Sequence, residues 1–327
     1  MIKILPAKAI RGLVILLFPL IGAMFATAHA AEKYPYKQIK VIVPYSAGGT
    51  ADALARVLAR SVEQELKQTI IVENRAGAGG NIGTGHVAKA SPDGYTLLMV
   101  GNSFGANLSL FKNPPYALAD FSPIMLLMTN PYIMVANPSL PVKNLQEFIA
   151  YAKAHPIHFG SAGIGGGQQL TGELMNSMAG LDMVHVPYHG ATGMLTNLVG
   201  GDIQVGYSSM VAALPLIESG RLRALAVTST NRAKALPDVP TVSEAGLAGF
   251  NMHGWYGLLA PAGTPPEIVE RLNKAFTVAL HDPEARKTLE ADGNELIGDS
   301  PSEFTTFLKA DIETTARLIK SSGVAIQ

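Results

Sequence analysis

The sequence predicts an α/β protein with mainly parallel sheets, in about two domains. Three observations carry that expectation: short apolar, β-branched runs alternate with helical stripes, Gly-rich joints separate them, and the chain is 327 residues long. Lys plus Arg and Asp plus Glu number 25 each, hydrophobic residues make up 48% and charged residues 15%. That balance excludes disorder and coiled coil, and it leaves no extended basic surface for nucleic acid. The chain has no Cys, which removes disulfides, thiolate metal sites, iron–sulfur clusters and a Cys nucleophile. The expected partner is a small molecule, with no cofactor.

Residues 1–30 read as a signal peptide. Lys3, Lys8 and Arg11 supply a positive start, Gly12 to Phe25 is apolar, and Ala28-His29-Ala30 puts small residues where a signal peptidase reads. A membrane anchor needs about 20 apolar residues, and this run is shorter and broken by Pro19 and Gly22. Cleavage after Ala30 would take the charge balance from 25 and 25 to 22 and 25, a net charge of −3, in a protein exported to a periplasm. No later segment has the length and apolarity to span a bilayer.

Ile39 to Val43 is a strand, and Ala51, Leu54, Ala55, Leu58, Val62 and Leu66 then recur at helical spacing. Further strands are expected at 69–72, 95–100, 133–136, 158–160, 183–186, 203–207 and 224–228. Helices are expected near 84–90, 144–154, 168–178, 192–198 and 211–218, and the chain reads as helical from Pro266 onward. Met128 to Pro138 and Gly249 to Pro261 are candidate crossings between lobes. The lobes would then be discontinuous, residues 31–131 plus 256–327 forming one and 132–255 the other.

Two uncharged loops each join a strand to a helix: Tyr45-Ser46-Ala47-Gly48-Gly49-Thr50, and Ser161-Ala162-Gly163-Ile164-Gly165-Gly166-Gly167. Unpaired amides and the positive dipole end at a helix N-terminus favour an anion, and Gly lets backbone approach it. Taken singly, either loop is more simply a tight turn; two, one per lobe, favour a pair of carboxylate cradles. No Lys-Ser or Lys-Thr follows the glycines, which disfavours nucleotide hydrolysis. Gly83-x-Gly85-x-x-Ala88 resembles a dinucleotide fingerprint, but Val100 is followed by Gly101 and Asn102 and not by the acid that fingerprint requires, so a structural Gly turn is expected.

Gly101-Asn102-Ser103-Phe104-Gly105 has the form of a nucleophile elbow, which makes a secreted serine esterase the alternative reading, with His281 or His253 as the base. No oxyanion-type Gly loop precedes Ser103. As a binding loop, Asn102 and Ser103 would supply neutral hydrogen bonds. Pro187 between His185 and His189 excludes helical metal-ligand spacing, and no metal is expected. Tyr188, Tyr207 and Trp255 are bulky enough to wall a ligand. Asp52 is most simply a dipole and capping residue, with a ligand contact as the functional alternative.

At these loops the sequence resembles the Bug-type solute receptors of tripartite tricarboxylate transporters. The matching segments include Gly48-Gly49-x-x-Asp52, Glu73-Asn74-Arg75-x-Gly77-Ala78-Gly79-Gly80-Asn81-Ile82-Gly83, Ser91-Pro92-Asp93-Gly94-Tyr95-Thr96, Val186-Pro187-Tyr188-x-Gly190, Leu236-Pro237-Asp238-Val239-Pro240-Thr241 and Gly257-Leu258-Leu259-Ala260-Pro261. The resemblance implies the fold of a type II periplasmic binding protein, two α/β lobes that close on an organic acid delivered to a two-part membrane permease. Carried over by position, the binding loops are Ser46 to Asp52 and Ser161 to Gly167, with Tyr188, His189 and Thr192 forming a further wall and Ser208 and Ser209 adding hydroxyls. Ala51, Gly166, Gln169 and Ser208 depart from the hydroxyl, hydroxyl, His and Asp common in the family. Those departures alter side-chain contacts and leave the backbone sites intact.

Overall fold

The computed structural model describes residues 34–188, 190–291 and 293–322. The signal-peptide expectation for residues 1–30 and the site expectation at His189 lie outside the described residues.

In chain order the elements are β1 (Ile39–Val43), α1 (Thr50–Leu66), β2 (Ile70–Asn74), α2 (Asn81–Ala88), β3 (Thr96–Gly101), α3 (Ser103–Leu110), β4 (Phe121–Ala136), α4 (Leu145–Ala152) and β5 (His158–Ser161). They continue with α5 (Gly167–Ala179), β6 (Val184–Pro187), α6 (Ala191–Gly200), β7 (Val205–Ser209), α7 (Met210–Glu218) and β8 (Arg223–Val227). The last are β9 (His253–Pro261), α8 (Pro266–Leu280), α9 (Pro283–Ala291), β10 (Glu295–Leu296) and α10 (Pro301–Ser322). The helical stripe read from the sequence of α1 is its buried face, and the helix stops at Lys67, whose φ of 54° is left-handed.

The strands run β2-β1-β3-β9-β4-β7-β5-β6, with β8 and β10 also paired to β4. β1 is parallel to β2 and β3, and β5 is parallel to β6 and β7, as the alternating pattern leads one to expect. Every pairing that involves β4 or β9 is antiparallel, which corrects the expectation of a mainly parallel sheet. Strand β4 is the reason. Its first part, Phe121 to Pro131, pairs with β9, and its second part, Tyr132 to Ala136, pairs with β7 and β8. One strand thus links two parallel-stranded groups: it runs with β1–β3, across the intervening antiparallel β9, and against the β5–β7 group.

Each group has its own core. Ile42, Leu98, Val100, Leu126, Leu259, Phe304 and Leu308 pack together under the β1–β3 group. On the other side of Tyr132, alternate residues serve two clusters: Met134 and Ala136 face α4 and α5, whereas Ile133 and Val135 face α6 and α7. The 13-residue α5 and the 22-residue α10 both reach the first of these.

Gly257 sits at the middle of β9, opposite Leu126, with its Cα against the Phe304 ring. A Cβ there would meet that ring and come within 2.9 Å of the Met125 carbonyl oxygen. Gly257→Ala is expected to cost about 1–3 kcal/mol by overpacking, read as a lower midpoint in denaturant unfolding; an unchanged midpoint would contradict this packing.

Candidate functional site

The pairing places the loops. Gly101, the last residue of β3, lies opposite Tyr256, which lies opposite Met128, and Ser209, the last residue of β7, lies opposite Tyr132. The carboxyl ends of both parallel groups therefore meet at residues 128–132 of β4, the location where open α/β sheets bind ligands.

In the first loop Gly48 takes a φ of 81°, and Gly49 caps α1 in an extended conformation without any side-chain cap. The Gly48 amide donates to Asp52 Oδ2 at 2.9 Å, and Arg56 Nε donates to Asp52 Oδ1 at 3.0 Å. Arg56 also reaches Asn74 Oδ1, and Asn74 Nδ2 donates to the Tyr45 carbonyl at 3.2 Å. Burial alone would raise the Asp52 pKa, but the Arg56, Gly48 and Asn74 bonds overcome it and hold the carboxyl below its ordinary range. Asp52 is accordingly a brace for the loop, and its oxygens are occupied by its own chain. The amides of Ser46, Ala47, Gly49, Thr50 and Ala51 have no acceptor among the described residues.

The second loop is braced by amides and hydroxyls. Gln168 Oε1 accepts from the Ala162 amide at 2.7 Å, Gln169 Oε1 from the Gly165 amide at 2.7 Å, and Ser161 Oγ from the Gly163 amide at 3.2 Å. The expectation of an open Gly165 amide is therefore corrected: Gln169, four residues on, caps it. The amides of Gly166, Gly167 and Gln168, at the uncapped start of α5, remain without acceptors among the described residues. Tyr188 and Gly190 donate backbone bonds to Ser161 and Ala162 at 3.1 Å each, which straps the segment leading to Thr192 across this loop.

The two helix starts stand over one face of the crossing strands. The Thr50 side chain meets the Tyr256 hydroxyl, while the Gly167 Cα packs against the Tyr132 hydroxyl and the Asn102 side chain. Asn130 and Tyr132 lie over Gly254 on the same face. Asn102 is pinned from both ends, donating to the His253 carbonyl and accepting from the Trp255 amide at 3.2 Å each, so it joins α3 to β9. Ser103 Oγ and Tyr45 OH are 2.9 Å apart, and burial, the largest influence, pushes the Tyr45 phenol up. The Asn130 Oδ1 atom is buried with no partner among the described residues. Asn130, Tyr132, Tyr256 and Gln168 were not singled out by sequence reasoning; polar Asn130 and Tyr132 at alternate positions of an apolar strand were the available signal for the first two.

Ser208 and Ser209 do not act as a pair. Ser209 lies opposite Tyr132 and Ser208 opposite Ile133, so Ser208 faces the α6–α7 cluster, and its Oγ is buried without a partner among the described residues. Trp255 is likewise packed against Phe304 and Phe307, its Nε1 donating to Asp311 at 3.0 Å, and Tyr207 lies in the core. The Gly77–Gly85 stretch is structural: Gly83 presses on Pro44 beneath the first loop, and Asn107 Nδ2 donates to the Gly79 carbonyl and to Asn81 Oδ1 at 2.9 Å.

The esterase reading finds no support in this geometry. Ser103 is not among the non-Gly residues with positive φ, so it lacks the strain of a nucleophile elbow. Its hydroxyl lies against the Tyr45 phenol; His253 Nδ1 is engaged with Asn251 and His281 Nδ1 with the Thr277 carbonyl. No group of three His, Cys, Asp or Glu suited to a metal occurs among the described residues.

Two braced loops start helices over a common floor, an arrangement suited to holding a solute. The model of the tripartite tricarboxylate transporter family receptors matches residues 54–324, and the chain belongs to that family. Protein BugT of Bordetella pertussis is 35% identical over 321 residues, covering 95% of this chain and 98% of BugT. Among solved structures, R. palustris Rpa4515 with adipate superposes with a TM-score of 0.79 at 33% identity, covering 89% of this chain and 99% of that one. MatC from Rhodopseudomonas palustris with bound malate gives 0.76 at 32% identity, covering 88% and 100%. The fold is thus that of the periplasmic binding proteins of this family, two α/β lobes joined by crossing strands.

His185 Nε2 lies 2.6 Å from Ser161 Oγ, and burial depresses its imidazole from 6.5 to about 4. A base depressed in the folded state stays neutral while the unfolded chain takes up its proton, so stability is lost as pH falls from about 6.5 toward about 4. His185→Gln is expected to lose less stability than the parent between pH 7 and pH 5, compared by denaturant midpoints; equal losses would contradict the buried neutral imidazole.

Proposed function

We propose that the chain is exported to the periplasm, loses its signal peptide near Ala30, captures a small organic dicarboxylate, and presents it to a two-component membrane permease. Lobes comprising residues 31–131 plus 256–327 and residues 132–255 would close around the acid about β4 and β9. The change of partner between Pro131 and Tyr132 supports that division. Adipate and malate bound to relatives support the ligand class.

One observation carries the reading: the acceptor-free amides of Gly49, Thr50 and Ala51 and those of Gly166, Gly167 and Gln168 start helices that share a floor. Ser46 and Ala47 would extend the first cradle, and Ser161, Tyr188, His189, Thr192 and Ser209 would complete the second. Arg56, the cation bonded into the first loop, is committed to Asp52 and Asn74, so the carboxylates would be held by amide dipoles and hydroxyls. Binding and release are the whole activity, and no chemical step takes part.

Thr50 is the first residue of α1, and Gly49 before it is already extended with ψ 173°. Pro fits such a position; it deletes the amide hydrogen together with the hydroxyl that meets Tyr256, and Thr50→Val controls for the hydroxyl. Calorimetric titration with adipate and malate should give saturable binding to the mature protein, weakened about 10- to 100-fold by Thr50→Pro. Thr50→Val, which keeps the amide, should bind more tightly than Thr50→Pro, and nitrophenyl acetate should not be turned over. Undiminished binding by Thr50→Pro, or ester turnover abolished by Ser103→Ala, would refute the reading.

A further inference from the structure

The binding loops occupy one face of the crossing strands, and the opposite face carries a cavity of about 920 Å³. Thr129 and Pro131 of β4 and His253 of β9 form its floor. These are the residues that alternate with Asn130, Tyr132 and Gly254, so the two sites lie back to back across the same pair of strands. One wall is the 229–235 segment that follows β8; the other is the end of α9 with β10. Its volume is that of a small-molecule site.

Both walls bring cations to this space. Arg232 is paired with Glu244 and Arg286 with Glu290, each at 2.8 Å, so these two charges are already answered. Lys234 on one wall and Lys287 on the other are exposed, line the cavity and make no ion pair with a described residue. Among the described residues, the carboxylate left over on the lining is Glu295 of β10. Two unanswered ammonium groups that approach one solvent-accessible cavity from opposite sides suit a ligand with at least two negative charges spaced along its length, since each Lys donates as a point charge and neither imposes a fork.

We propose that this reverse-face cavity is a second binding site, taking a small multivalent anion that bridges Lys234 and Lys287. It shares no residue with the amide cradles and does not depend on what they bind. The test uses pyrophosphate as the probe, titrated calorimetrically at low ionic strength into the mature protein, the double variant Lys234→Glu/Lys287→Glu, and a control double variant, Lys143→Glu/Lys153→Glu. The control reverses two exposed lysines that lie outside the cavity. All three should share one unfolding midpoint within the error of the measurement, because the four side chains are exposed. The expected result is saturable pyrophosphate binding by the parent, weakened at least about tenfold in the cavity variant and by less than about twofold in the control. Absence of binding by the parent, binding that survives reversal of Lys234 and Lys287, or an equal loss in the control overturns the proposal. Adipate and malate are not used, so a failure here is separate from a failure of the carboxylate reading.

Discussion

Everything in this molecule depends on the pairing of β4 with β9 and on the continuation of β4 beyond that pairing. A 16-residue strand covers roughly 50 Å, long enough to be an inner member of one sheet at its start and of another at its end. The β1–β3 group runs with it, reached through antiparallel β9, and the β5–β7 group runs against it, so their carboxyl ends are brought to the same short stretch around Asn130. The Gly loops follow from those ends. Had β4 stopped at Pro131, the two groups would have had no shared seam, and two anion-favouring helix starts would have faced unrelated solvent.

The electrostatics of that seam are those of a neutral cradle. Helix N-termini carry about half an elementary charge each, and here those of α1 and α5 lack the side-chain caps that would neutralise them. The chain still braces the loops, at Gly48 with Asp52, at Ala162 with Gln168 and at Gly165 with Gln169. Bracing acceptors lie beside the open donors and do not use them. That arrangement fixes the loops before a ligand arrives, which lowers the ordering cost of binding. In the proposed site, selectivity would fall to shape and to neutral groups such as Asn130, Tyr132 and Tyr256, since Arg56 is committed to Asp52 and Asn74.

Most of the α/β pattern was legible in the sequence, since β1, β2, β3 and the β5–β8 strands are short apolar runs and α1 and α8 carry clear stripes. Both Gly loops were legible for the same reason, lying where a period of two gives way to a period near four. The first half of β4 was not. Pro123 and Pro131 speak against a central strand, and the strand tolerates them with register shifts near Met125 and Met128. Those shifts also hide which side chains face the seam, so Asn130 and Tyr132 were missed. The helix α3 is hidden in the sequence because Ser103 to Leu110 contains Gly105 together with Ser103, Asn107 and Ser109, all of weak helix propensity. A brace such as Gln168 carries no sequence signal of its own, whereas Gln169 stood out only as a departure from the family's His.

The central claim is that two amide-bearing helix starts, one from each side of β4, hold a single negatively charged guest. A crystal structure of the mature protein grown with saturating adipate tests it most directly. The account requires carboxylate oxygens within hydrogen-bond distance of the Thr50 amide and of the Gly167 amide, above Tyr132. Adipate seated elsewhere, or bound through Lys and Arg side chains with both helix starts left to water, would contradict it.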